Sequence, residues 1–223
     1  MPLLNSSFAD GYMARTLAES IASKIREQII CGALEPGQAL VQEAIANELN
    51  TSRVPVRDAL HILAAEGLVQ IKSNKGATVI EFSIDDLKQI LSIIRALEAL
   101  ATSEGVTKLS LADLNQMESL LIKMESQTDS IREWNILNDR FHSAGTLSAY
   151  GTRIHRLIDK HRLLVSRYFH DPVLFRQEVA VWNVQHREIY EACRAGNVEK
   201  AKALADLHWE HSTAALLKHL QQQ

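Results

Sequence analysis

Two groups of residues in this 223-residue chain have types and spacings that can do chemistry. The first is Thr51, Ser52, Arg53 and Arg57, in the stretch TSRVPVRDALHILAAEGLV. Arg53 and Arg57 are one helical turn apart, directly ahead of an apolar helical pattern. An arginine fork can bond a guanine edge at two points, and a Ser or Thr hydroxyl can bond a phosphate oxygen. Pro55 fits the first turn, where its missing N–H has no intrahelical acceptor anyway. The second group is His142, His186 and His208, three of nine histidines. Imidazoles converging inside a helical bundle can hold a divalent transition metal and leave positions open for water or a small ligand. Asn138 lies four residues before His142, about 40° around a helix, so both can face one interior point. His211, one turn after His208, competes for the same role.

The elements that must position these groups follow from periodicity. From Thr16 to Cys31, apolar residues recur every four positions at Leu17, Ile21, Ile25 and Ile29, which predicts a helix with one buried face. A second short helix is predicted with Leu40, Val41, Ala44, Ile45 and Leu49 inward, and Asn50 to Ser52 as a turn and cap. The third carries Val56, Leu60 and Leu63 inward as far as Gly67. LVQIKSNKGATVIEF then changes to two β-branched runs around Ser73 to Gly76, the composition of a hairpin with an exposed tip. Three short helices and a hairpin make a winged helix-turn-helix. In that layout Lys72 and Lys75 extend a locally basic face that is opposed only by Asp58 and Glu66 between Thr51 and Gly76.

Beyond Phe82 the periods become long and helical: 84–106, 111–126, 131–147, 152–169, 172–195 and 198–220. Gly and Asp-Pro breaks lie between them, which predicts six helices in an antiparallel bundle. Ser83 can cap the first, with Asp85 and Asp86 favoured by the helix dipole. His186 and His208 then fall on the last two helices of an antiparallel pair. The expected fold is therefore mainly α, with a winged helix-turn-helix over 1–80 and an all-α effector-binding and dimerisation domain over 81–223.

Bulk properties restrict the partners. A formal charge of -3 provides no global basic field, so any nucleic-acid site must be local. Two cysteines without CxxC spacing and no leader pattern point to a reducing, cytoplasmic setting. Apolar stretches such as 89–101 are far shorter than the roughly 20 residues that span a bilayer, so no membrane partner is expected. One helix that reads a few base pairs binds weakly. Two linked copies match a two-fold operator, so a homodimer on palindromic double-stranded DNA is expected.

The stretch from Ser20 to Val79 resembles the N-terminal domain of GntR-family bacterial transcription regulators. The matching residues are Gly32, Leu34, Pro36 and Gly37, then Ser52, Arg53, Pro55, Val56, Arg57, Ala59, Leu60, Leu63, Gly67 and Leu68. The rest, from about Phe82, resembles the FCD effector domain of the FadR subfamily through RALEALA, Phe141-His142 and HREIYEACRAGNVEKAKALADLHWEH. This resemblance implies a ligand-responsive transcription regulator, in most cases a repressor, that senses a small organic or sugar acid. It also implies that Asn138 joins His142, His186 and His208 around zinc, nickel or a similar ion. Asn138 is neutral, so a carboxylate effector would supply the missing negative charge. Arg95 is a candidate partner for that acid through its fork, or forms an ion pair with Glu98 or another carboxylate. The alternative from another class is a metal-dependent hydrolase on the same three histidines, with Glu98 or Glu210 as its base.

Overall fold

The computed structural model describes residues 16–72, 76–145 and 153–222, and the chain divides after Phe82 into two compact units. In the first unit, helix α1 (Leu17–Ile30) starts at Thr16, whose side chain and that of Glu19 cap each other's backbone N–H. Its apolar repeat buries Ile21, Ala22, Ile25 and Ile29, against α3 (Arg53–Glu66). Between them lie a two-residue strand β1 (Ala39–Leu40) and α2 (Gln42–Glu48).

Here the structure departs from the expected second helix. Leu40 is buried from a strand, and Val41, expected inward, is 55% exposed at the cap position. The period-3.6 reading extended α2 backwards over Leu40, which pairs with the hairpin instead, and Val41, which stands at the helix cap. That hairpin is β2 (Val69–Lys72) and β3 (Gly76–Val79), and β1 adds to it in the antiparallel order β1-β3-β2, with Leu40 opposite Ala77. Gly76 has φ +80°, and a Cβ there would sit 3.1 Å from the Leu40 carbonyl oxygen. This crossing of strand and wing therefore requires glycine. Of the wing residues expected to be basic, Lys75 lies outside the described residues, and for Lys72 only the backbone is described.

The turn into α3 is built by Asn50, a non-glycine residue with φ 49°, while the Thr51 N–H reaches back to the Ala46 carbonyl at 3.0 Å. Asparagine tolerates that left-handed conformation. At the other end of α3, Gly67 (φ 84°) lets the Leu68 N–H bond the Leu63 carbonyl, the Schellman pattern.

The second unit holds α4 (Ile84–Gly105), α5 (Leu111–Ser126), α6 (Ile131–Gly145), α7 (Arg153–Val165), α8 (Pro172–Arg194) and α9 (Val198–Leu220). As expected, α4 starts at a Ser83–Asp86 capping box. Asp171 caps α8, accepting from the N–H groups of Val173 and Leu174, with Pro172 in the first turn. The helix expected to run to residue 169 ends at Val165 and tightens into a 3-10 segment over Ser166–His170. Helix α4 packs on α9 and α7, α8 on α9 and α5, and α5 on α6. These pairings enclose a core that includes Leu91, Ile94, Leu121, Phe141 and Leu216.

Candidate functional sites: an exposed helix start and a histidine cluster

On α3 the buried residues Val56, Ala59, Leu60 and Leu63 form one face. The opposite face is an exposed stripe of Arg53, Val54, Arg57, Asp58 and His61. The helix start is held from behind and offered in front. Ser52 occupies the N-cap position, yet its hydroxyl makes no capping bond, so it is exposed and not consumed by the helix. Arg57 has only a 3.5 Å approach to the neighbouring Asp58, both about half exposed, a pair too wet to hold it back. Of the two acids in this region, Glu66 is bound by Arg26 through contacts of 2.5 and 2.8 Å. Its charge is therefore compensated inside the unit. Val54, 56% exposed between the two arginines, was not selected from the sequence, since an apolar residue beside a helical face normally belongs to the core.

In the helical unit the structure brings His142 of α6, His186 of α8 and His208 of α9 together, with one nitrogen from each within 4.8 Å of the others. The Nε2 atoms of His142 and His186 are 3.1 Å apart, and the His186 and His208 ring centres are 4.5 Å apart. All three are held in the neutral form. Burial pushes His142 and His186 well below the usual imidazole range, and Arg162 and the neighbouring imidazoles add to the shift. Burial lowers His208 to about 3, assisted by His211 and Arg162. His208 Nδ1 lies 2.8 Å from Gln185 Oε1, an acceptor-only atom, so Nδ1 carries the proton and Nε2 keeps its lone pair. Asn138 Oδ1, at the same cavity, is buried without a hydrogen-bond partner. Neutral imidazoles, each able to present a ring nitrogen as a ligand, beside a buried carbonyl oxygen are a donor set that suits zinc, nickel or a similar ion.

The cluster borders a cavity that opens to solvent. Its aromatic walls are Trp134, Phe169, Trp182 and Trp209. Arg162 also lines it and forms a buried ion pair with Glu98 of α4, 3% and 11% exposed at the carboxylate and guanidinium side chains respectively. Burial raises the Glu98 carboxyl even though Arg162 opposes the shift.

The remaining candidates lie elsewhere. Arg95 takes the ion-pair option, but with partners other than Glu98. Its fork holds Asp206 through two 2.6 Å bonds and Glu210 at 3.0 Å. The arginine that faces the cavity is Arg162, one turn along α7 from Ile158, and nothing in its local pattern distinguishes it from the solvated charges around it. His211, the competitor for His208, bonds Glu178 at 2.8 Å and stands outside the cluster. The two glutamates considered as a general base, Glu98 and Glu210, are both committed to arginines.

Comparison with known proteins matches residues 17–79 to the bacterial regulatory proteins of the gntR family and residues 89–211 to the FCD domain. An HTH-type transcriptional regulator in an unstable DNA locus of Streptomyces ambofaciens is 28% identical over 201 residues, covering 87% of this chain and 82% of its own. Among solved structures, Escherichia coli McbR/YncC superposes with a TM-score of 0.77 at 21% identity, covering 93% of this chain and all of that one, 100%. A GntR putative transcriptional regulator from Rhodococcus sp. RHA1 gives 0.75 at 25% identity, covering 90% and 97%.

Proposed function

Because the chain belongs to the GntR family and carries an FCD domain, it is a DNA-binding transcription regulator with an effector-binding domain and not an enzyme, and we propose that it acts as a homodimeric repressor released by a small carboxylic acid. The observation that carries this is the pairing of two features in one chain. One is an exposed arginine stripe on the helix that follows the turn, and the other is a cluster of three neutral imidazoles, two of which, His142 and His208, line a cavity.

In this reading Arg53 and Arg57 bond base edges in the major groove, and Thr51 and Ser52 bond phosphate oxygens. Val54, rigid at its branched Cβ, offers an apolar contact to a thymine methyl between them. Lys72 and Lys75 place the wing on the flanking backbone. Two copies, one helical turn apart on a palindrome, supply the affinity that a single short helix lacks. The work is done in the cytoplasm. Among the described residues no helix is long and apolar enough to cross a membrane.

In the helical domain Asn138, His142, His186 and His208 hold a divalent transition ion, zinc or nickel. When bound, the ion supplies a concentrated positive charge. All four ligands are neutral, so none of that charge is cancelled by the ligands themselves, and an anionic effector is favoured. Gln185 holds the His208 tautomer that can ligate. Release from DNA requires the acid to bind the two dimer geometries unequally.

The experiment is a gel shift and footprint on DNA flanking the protein's own gene, at moderate salt and with metal-replete protein. A protected palindrome supports the reading. Absence of any sequence-selective complex overturns it.

A further inference from the structure

The cavity wall carries an imbalance in its hydrogen bonding. The indole N–H groups of Trp182 and Trp209 and the Nε–H of Arg162 are buried and have no hydrogen-bond partner among the described residues. All three residues line the cavity. Trp134, in the same wall, shows the ordinary situation, since its indole N–H donates to Asn183 Oδ1 at 2.9 Å. A buried indole or guanidinium N–H normally finds an acceptor, because leaving it without one forfeits its hydration for nothing in return. Three unmatched donors on one wall mark the place where acceptors arrive from outside. The one unmatched acceptor there, Asn138 Oδ1, is accounted for by the metal site.

The shape of the wall is as selective as its polarity. Trp134 and Trp182 stand with centroids 5.5 Å apart, and Phe169 lies edge-on to Trp182 at 6.2 Å. Arg162 spreads over the Trp209 ring at 5.9 Å. This is an aromatic wall whose unmatched buried groups are donors, in a cavity that Asp139 and Ser212 also line. A sugar acid matches these three groups poorly, because each hydroxyl it brings is itself a donor and none of the three can accept from it. A planar acid whose polar atoms only accept matches on both counts.

We infer that the effector is an aromatic carboxylic or keto acid, its ring against the wall of Trp182, Trp209 and Phe169 and its oxygens on Trp182 Nε1, Trp209 Nε1 and Arg162 Nε. The inference rests on the regulator reading for the meaning of the cavity, but it makes no use of the DNA-binding half.

The test is isothermal titration of the full-length, metal-replete protein with phenylpyruvate, benzoate and gluconate. Trp182→Phe and Trp209→Phe keep a ring in the wall and remove only the N–H donor. The expected result is that at least one aromatic acid binds about tenfold or more tighter than gluconate, and that each Phe variant weakens it about tenfold. In both variants the melting temperature, metal content and gluconate response should be unchanged. Gluconate binding as tightly as the aromatic acids, no heat from either aromatic acid at millimolar concentration, or full affinity in both Phe variants would each overturn the inference. A gel shift on the same ligand-free samples separates the two readings. DNA binding that persists while the aromatic acids fail removes only the effector class, whereas wild-type protein that binds no DNA removes the regulator reading as well.

Discussion

Acidifying the metal-free protein should cost stability in an amount that His208 makes calculable. The imidazole is 5% exposed and its pKa is lowered to about 3 in the fold, so it stays neutral throughout the pH 7.5 to 5.5 interval. In the unfolded chain it titrates near the ordinary value of about 6.5. At pH 7.5 both states are neutral and the group contributes nothing to the pH slope. At pH 5.5 the unfolded chain has bound a proton that the folded chain has not, so stability falls as pH drops through the unfolded value. Linkage sets the loss at about 1.4 kcal/mol across this interval. Other groups titrate in the same range, so the useful quantity is a difference. Urea unfolding of chelator-treated wild type and His208→Gln is followed by tryptophan fluorescence, and all three tryptophans lie in the helical unit. The stability advantage of wild type over the variant should shrink by about 1.4 kcal/mol between pH 7.5 and 5.5. An advantage that stays constant, or grows on acidification, would mean that His208 is not buried in its neutral form.

Four further outcomes follow from named contacts. Arg57→Ala should weaken operator binding by about 1–3 kcal/mol per reading helix, with no change in melting temperature, since its only described partner is the exposed Asp58; fluorescence anisotropy on the footprinted duplex reads it. Gly76→Ala should lower the stability of the N-terminal unit by about 1–2 kcal/mol or more in denaturant, because it demands φ +80° of an L-residue and puts a methyl 3.1 Å from a carbonyl oxygen. Glu98→Ala leaves Arg162 uncompensated in the interior and should cost about 3–5 kcal/mol. Asp206→Ala, which removes one partner of the more exposed Arg95, should cost about 1 kcal/mol or less in the same unfolding assay.

Much of this molecule was legible in its sequence because its elements signal their own ends. Thr16, Ser83 and Ser110 each begin a helix with a reciprocal cap, and Gly67 ends one with a left-handed residue. The histidines could be grouped for the same reason: a Gly-Asn turn between two long periodic segments forces α8 and α9 antiparallel. What escaped was set by contacts across the chain. Strand β1 is two residues long and exists only because β3 lies beside it. Leu40 therefore carries no periodic signal of its own. Arg162 and Arg95 look alike in sequence, both on helices rich in charge. Only the packing of α4 against α7 and α9 decides that one meets Glu98 at the cavity and the other meets Asp206. Nothing in the sequence singled out Trp182 and Trp209. That their N–H groups lack partners is a fact about the space left between helices.

The sensing half of the account depends on His142, His186 and His208 holding an ion together. Wild type and His186→Ala should be dialysed against the same zinc- or nickel-buffered solution and analysed by inductively coupled plasma mass spectrometry, with circular dichroism to check the fold. The account predicts one tightly held ion per wild-type chain and its loss from a still-helical variant. A wild-type chain that retains no ion, or a variant that retains it undiminished, would contradict it.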